Sequence, residues 1–209
     1  MQISGLVKEY DSGLRAVNGI NLKIFADQIF VLLGHNGAGK TSTISMLTGL
    51  FEPTAGKAEA FGVDMFEDVD TVRTFLGLCP QHDVLFELLT PEEHLEIFYD
   101  FKGADSSPAK KAAEIKKLLI DCGVDDKKHD LAGQLSGGNK RKLSAAIALC
   151  GGSKFVVFDE PTSGMDLSAR RQLWSMLKEY KKDRIILLTT HYMDEADILG
   201  DRIGIMTSG

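Results

Sequence analysis

Along the first 27 residues apolar positions alternate with polar ones, through Val17, Ile20, Leu22 and Ile24, and turn residues interrupt at Asp11–Gly13 and Asn18–Gly19. This predicts short strands forming an antiparallel edge. Gln28–Leu33 is a continuous apolar run that ends in a glycine-rich loop, and Ile44, Leu47 and Leu50 then recur at helical spacing. Strand, loop and a helix from Thr41 to Leu50 are expected. Further strands are expected at Lys57–Phe61 and Leu76–Pro80, joining a growing parallel sheet, with a short helix near Val69–Phe75 between them.

From Thr90 the period changes. Thr90 can cap a helix whose first residue is Pro91, and two helical patterns follow, Glu92–Phe101 and Pro108–Cys122. A third begins at Ser136 and runs through Leu143, Ile147 and Leu149. Strand and helix then alternate again: Lys154–Phe158, Leu167–Tyr180, Arg184–Thr190, a short helix from Asp194, and Arg202–Met206. The expected fold class is α/β: a P-loop NTPase core with a mostly parallel sheet and flanking helices, an antiparallel β edge, and a helical subdomain. Residues 1–87 and 151–209 would form the core and 88–150 the helical part.

Composition limits the function classes. Of 209 residues 44% are hydrophobic and 26% charged, which suits a folded chain with a sizeable core. The net charge of -6 argues against nucleic acid as a main partner, although a local basic cluster such as Lys140, Arg141 and Lys142 could form. Cys79, Cys122 and Cys150 have no CxxC spacing and sit among apolar residues, so buried free thiols in a reducing compartment are expected. No leader follows Met1 and no apolar run reaches the ~18–20 residues of a membrane span, so a soluble chain is expected.

The candidate chemistry lies at the loop ends. GHNGAGKT, Gly34 to Thr41, fits G-x-x-x-x-G-K-[ST] between a predicted strand and a predicted helix. Glycines let backbone N–H groups face an anion, the helix start adds its dipole, Lys40 neutralises outer phosphates, and Thr41 offers a hydroxyl to Mg²⁺. The bland alternative is a turn with a helix cap. Phe155–Glu160 sets Asp159 and Glu160 at the carboxyl end of a buried strand, where side chains point alternately. One carboxylate can serve Mg²⁺, assigned to Asp159, and the other the attacking water, assigned to Glu160. An acidic strand end leading into Pro161 is the plainer account. Leu135–Gly138 reads LSGG, with Ser136 as an N-cap and backbone N–H groups open to a second anion; alone it would be an ordinary capped helix.

Taken in order, GHNGAGKT, CPQHDVLF, LSGGNKRKLS, FVVFDEPTSGMD and LTTHYMDEAD resemble the nucleotide-binding domain of an ABC transporter, over nearly the whole chain. CPQHDVLFELLTPEEH, GGSK and THYMDEADILGDRI are most similar to the A subfamily of lipid exporters. The resemblance implies ATP and Mg²⁺ as cofactors, with Gly34, Asn36, Gly37, Gly39, Lys40, Thr41 and Ser42 on the phosphates. It implies Gln81 as a sensor of the γ-phosphate and metal, His191 as a switch residue on the γ-phosphate, and Tyr10 stacked on adenine. If Tyr10 instead packs under the edge strand, Leu14–Val17 would line the base. It further implies that Ser136 and Gly138 close on ATP held by a second nucleotide-binding domain, with Asp166 across that dimer. Transmembrane domains outside the chain would be the other partner, placing it at the cytoplasmic face of a membrane. Two departures stand out: Asn139 where Met or Gln is usual, beside Lys140, and an end at Gly209 where the family continues, so a fragment is expected.

Overall fold

The computed structural model describes residues 1–103 and 107–209. Two sheets organise it. The first is antiparallel, in the order β2 (Arg15–Lys23), β1 (Gln2–Glu9), β4 (Ala55–Ala60), β5 (Val63–Asp64). The second is parallel, in the order β6 (Leu76–Cys79), β7 (Phe155–Asp159), β8 (Ile185–Thr190), β3 (Gln28–Leu33), β9 (Arg202–Ile205).

The antiparallel sheet differs from expectation twice. Asn18–Gly19 does not end a strand; Leu6 pairs with Ile20 and Val7 with Asn18, so Gly19, at φ 84°, is the extra residue of a bulge inside β2. Residues 57–61 do not join the parallel sheet either. β4 pairs antiparallel with β1, Ile3 facing Ala58, and only its alternate residues Ala58 and Ala60 are buried. A strand with one wet face belongs to an antiparallel sheet, whereas parallel strands are covered on both sides. β7 and β8, buried along their whole length, show that contrast.

Alternate residues of the parallel strands feed two separate cores. Ile29, Val31, Val156, Phe158, Ile186 and Leu188 face the helices α3 (Pro91–Phe101), α4 (Pro108–Asp121), α5 (Gly137–Leu149), α6 (Leu167–Tyr180) and α7 (Met193–Leu199). Phe30, Leu32, Phe155, Val157, Ile185 and Leu187 face α1 (Lys40–Leu47), α2 (Val69–Phe75) and the antiparallel sheet. Each such side chain contributes roughly 1.5–3 kcal/mol by leaving water, so the parallel sheet is the rigid member between two covers.

Local signals set the helix ends. Thr90 and Glu93 close a capping box ahead of α3, with Pro91 at its start. Ser136 Oγ accepts from the Asn139 N–H at 3.3 Å to cap α5, and Asp166 accepts from Ser168 and Ala169 to cap α6. α1 stops at Leu47, short of Leu50, because Gly49 turns left-handed at φ 73°. α5 packs against β6 and β7 as well as against α3 and α4, so it belongs to the sheet's cover and to the helical region together. The three cysteines are buried and unpaired as expected; burial pushes the thiols of Cys122 and Cys150 up to about 12.

Candidate functional site

The carboxyl ends of β3, β7 and β8 point to one edge of the parallel sheet, where loops between covering elements leave a crevice. The loop after β3 turns through Gly37 at φ 84° and Gly39 at φ 102° and enters α1 at Lys40. Gly34 and Gly39 are needed for space as well: a Cβ would come 2.4 Å from the Met206 carbonyl oxygen at Gly34, and 2.3 Å from the Ala16 carbonyl oxygen at Gly39. A curled loop opening onto a helix start is the geometry that gathers backbone N–H donors around an anion.

Lys40 is buried, and its Nζ donates to the carbonyls of Gly34 at 2.7 Å and His35 at 3.2 Å. Glu160 Oε1 lies 3.5 Å from the same ammonium, and Glu160 Oε2 lies 3.1 Å from His191 Nδ1 without the alignment of a hydrogen bond. One carboxylate thus stands between a fixed cation and an imidazole. Its backbone is left-handed, at φ 47°, and its N–H donates to Thr189 on β8. His191 follows β8 and is braced by the Tyr192 ring, 4.0 Å away between centroids.

Asp159, one residue earlier, points apart from Glu160 and receives the Thr189 hydroxyl at 2.5 Å. Burial raises its pKa, reinforced by the Glu160 charge and opposed by the Thr189 hydroxyl, Lys40 and the Thr41 hydroxyl. Because burial disfavours its charged form, the Asp159 carboxylate, with Thr41 beside it, gains from a nearby cation. Among the described residues no group of three or more His, Cys, Asp or Glu could cage a metal. Asp159 and the Thr41 hydroxyl beside it are oxygen donors, the ligand type that Mg²⁺ takes.

A cleft of about 340 Å³ brings Lys40 and Glu160 together with Tyr10, Asn36, Ser42 and Gln81, and Gly37, Gly39, Thr41, Leu14 and Ala16 also line it, whereas Asp159 and His191 do not. Tyr10 hydrogen-bonds Ser42 at 3.0 Å and meets Phe51 edge-on. Both sequence alternatives for the base, Tyr10 and the segment from Leu14, therefore border the same space.

Ser136, Gly138 and Asp166 do not line this cleft. Gln81 also borders a neighbouring cleft of about 300 Å³, which Gly137, Ser163 and Gly164 line as well. Ser136 and Gly137 are exposed, so the start of α5 faces outward. The basic run is not a surface patch: Arg141 is 3% and Lys142 6% exposed, because both point inward from α5 to backbone carbonyls. Thr189, which donates to the Asp159 carboxylate and accepts from the Glu160 N–H, is a further residue that sequence reasoning does not assign; two threonines ending an apolar strand beside His191 are its signal.

Residues 17–163 match the family described as ABC transporter. The chain belongs to the ABC transporter family. Phospholipid-transporting ATPase ABCA3 of Homo sapiens is 54% identical over 93% of the chain, and ATP-binding cassette sub-family A member 2 of Rattus norvegicus is 48% identical over 99%. The chain spans only about a tenth of these relatives, 11% and 8% of their lengths. The structure described as an ATP binding subunit of an ABC transporter superposes with a TM-score of 0.90 at 27% identity, covering 100% of this chain and 86% of that one. A dimeric bacterial ABC transporter cassette gives 0.89 at 23% identity and shares the fold, with coverage of 100% and 94%. This ABC chain thus has the family's α/β architecture and is similar to sub-family A members. Among its described residues no helix is long and apolar enough to cross a membrane.

Proposed function

We propose that this ABC-family chain binds Mg-ATP in the cleft at Gly34–Thr41 and hydrolyses it, driving a transport cycle. The observation that carries the reading is Glu160: its carboxylate reaches Lys40 on one oxygen and His191 on the other, at the mouth of a phosphate-shaped loop. Lys40 and the loop N–H groups bind the triphosphate, and Asn36, Gly37 and Ser42 complete the cradle. Thr41 and Asp159, with Gln81 from the same cleft, would hold Mg²⁺, which when bound would supply charge neutralisation on the phosphate oxygens. Glu160 orients the attacking water and accepts its proton, a role worth ~10²- to 10⁴-fold. His191, 3.1 Å from the Glu160 carboxylate, meets the γ-phosphate. Tyr10 stacks on the base.

The site is half of a pair. Ser136, which is exposed, and Gly138, half-buried, lie outside the lining of the chain's own cleft and meet ATP held by a second nucleotide-binding domain, and Asp166 lies at that contact. Residues 88–150 act as a helical signature subdomain against a core of 1–87 and 151–209, and pass motion near Gln81 to transmembrane domains. The setting is the cytoplasmic face of a membrane, and the cargo is a lipid or another amphipathic molecule, as the names of the sub-family A relatives suggest.

Steady-state ATPase of the chain across a concentration series, alone and with a candidate partner domain, is compared with Glu160→Gln. Loss of turnover in the variant with Mg-ATP binding retained is expected. A wild type as slow as the variant at every concentration, while still binding Mg-ATP, leaves a nucleotide-gated binding module instead.

A further inference from the structure

Arg141 lies in the second turn of α5, four residues after the Gly137 that opens it, and its side chain is 4% exposed. A guanidinium has five N–H donors in a rigid fork. Here five contacts use them: Nε donates to the Pro161 carbonyl at 2.8 Å, Nη2 to the carbonyls of Asp159 at 2.8 Å and Glu160 at 3.0 Å, and Nη1 to the Pro80 carbonyl and to Asp83 Oδ1 at 3.3 Å. Asp83 is the one carboxylate among these partners, so the charge is compensated mainly by backbone dipoles.

Three successive carbonyls, 159 to 161, converge on this one side chain. Extended backbone cannot do that, since successive carbonyls alternate in direction; the chain has to turn, and Glu160 at φ 47° is the turning residue. A left-handed glutamate persists only where its surroundings over-determine it. Arg141 supplies that constraint from below, as Thr189 does from the side through the Glu160 N–H. The same fork holds Pro80 and Asp83, the residues flanking Gln81 and His82.

We propose that Arg141 is a positioning residue for Glu160: its fork sets the turn that presents the carboxylate to Lys40 and His191, and locks the Gln81 loop and the helix opening at Ser136 to that turn. This rests on the catalytic reading of Glu160 above. Lysine cannot substitute, because a single ammonium with three donors cannot span five acceptors set around a plane.

The test compares the chain with Arg141→Lys, which keeps charge and stem, and with Arg141→Gln. Three quantities are read: the dissociation constant of a fluorescent ATP analogue with Mg²⁺, kcat and KM for ATP hydrolysis, and amide hydrogen exchange. For Arg141→Lys the analogue's dissociation constant and KM are expected to stay within about 3-fold while kcat falls by about 100-fold, the cost of a displaced catalytic group. Exchange should quicken at the Glu160 and Ser163 amides and across 81–83, and hold elsewhere. A wild-type kcat in Arg141→Lys, or KM and kcat changing together with exchange accelerated throughout, overturns the assignment. If the wild type itself does not hydrolyse ATP, the catalytic reading fails, and the exchange pattern still decides whether Arg141 sets the turn: acceleration confined to the two segments supports it, and unchanged exchange refutes it.

Discussion

Gly37 and Gly39 share a left-handed backbone but not a neighbourhood, so replacing each with alanine separates torsional strain from lack of space. At Gly37, φ is 84° and a new Cβ meets nothing within 4 Å. Alanine there costs about 1–2 kcal/mol for the left-handed conformation, offset by about 0.4–1 kcal/mol from a less flexible unfolded chain. The net is roughly 0–1.6 kcal/mol. At Gly39, φ is 102° and the Cβ would sit 2.3 Å from the Ala16 carbonyl oxygen and 2.6 Å from Met206 Cε. The methionine end can swing aside; the carbonyl belongs to β2 and cannot without shifting that strand. Overpacking of this kind adds about 1–3 kcal/mol. For a chain of this size each kcal/mol moves Tm by roughly 2–4 °C, so Gly39→Ala should melt several degrees below Gly37→Ala by differential scanning calorimetry. Because β2 borders the cleft, Gly39→Ala should also lose more Mg-ATP affinity. Equal melting temperatures for the two variants would refute the spatial account.

Asp159→Asn should melt higher than the wild type at pH 7, by about 1 kcal/mol. Its pKa is raised, so the folded state favours the protonated carboxyl; ionisation at neutral pH opposes folding, and the advantage of Asn should shrink as pH falls into the carboxylate range. A lower Tm for Asp159→Asn at pH 7 contradicts this. Burial pulls Lys102 from 10.5 to about 8, so the folded state releases its proton first and, between about pH 8 and 10.5, stability due to this group rises with pH. Wild type should therefore gain on Lys102→Met by about 2–3 kcal/mol in urea titrations from pH 7.5 to pH 10; parallel curves would sink the idea. Tyr10→Ala should weaken ATP by about 1–3 kcal/mol, while Tyr10→Phe, which loses only the Ser42 contact, should bind within about 3-fold of wild type. Similar losses in both would move the base onto the Leu14 side of the cleft.

Much of this site could be read from spacing because its chemistry is local in sequence. A strand, three glycines, Lys40 and Thr41 occupy one short stretch, and the carboxylates Asp159 and Glu160 are adjacent. The strand periods were legible for the same reason: β7 and β8 are unbroken apolar runs. What failed depends on partners distant along the chain. Asn18–Gly19 has the composition of a turn, and only pairing with β1 makes it a bulge. β4 reads as a strand in either sheet, and its assignment rests on alignment with Gln2–Ser4, more than fifty residues away. Arg141 carries a charge that suggests a surface, and its acceptors come from residues 80–83 and 159–161, which no pattern within α5 announces.

That difference also explains where the site keeps its strain. The Gly34–Thr41 loop needs glycines and has them, so its left-handed turns cost little. Glu160 cannot be glycine if its carboxylate is to act on water, and a left-handed glutamate costs about 1–2 kcal/mol. The compensation must come from contacts that glycine would not require. Thr189 on the amide and Arg141 on three carbonyls are such contacts, both buried, both from elements that the parallel sheet holds rigid. It follows that Glu160→Gly should leave these backbone bonds intact and relax the turn, so it should lower Tm less than Arg141→Gln does. The first removes the acting group and keeps the scaffold. The second keeps the acting group and removes what aims it.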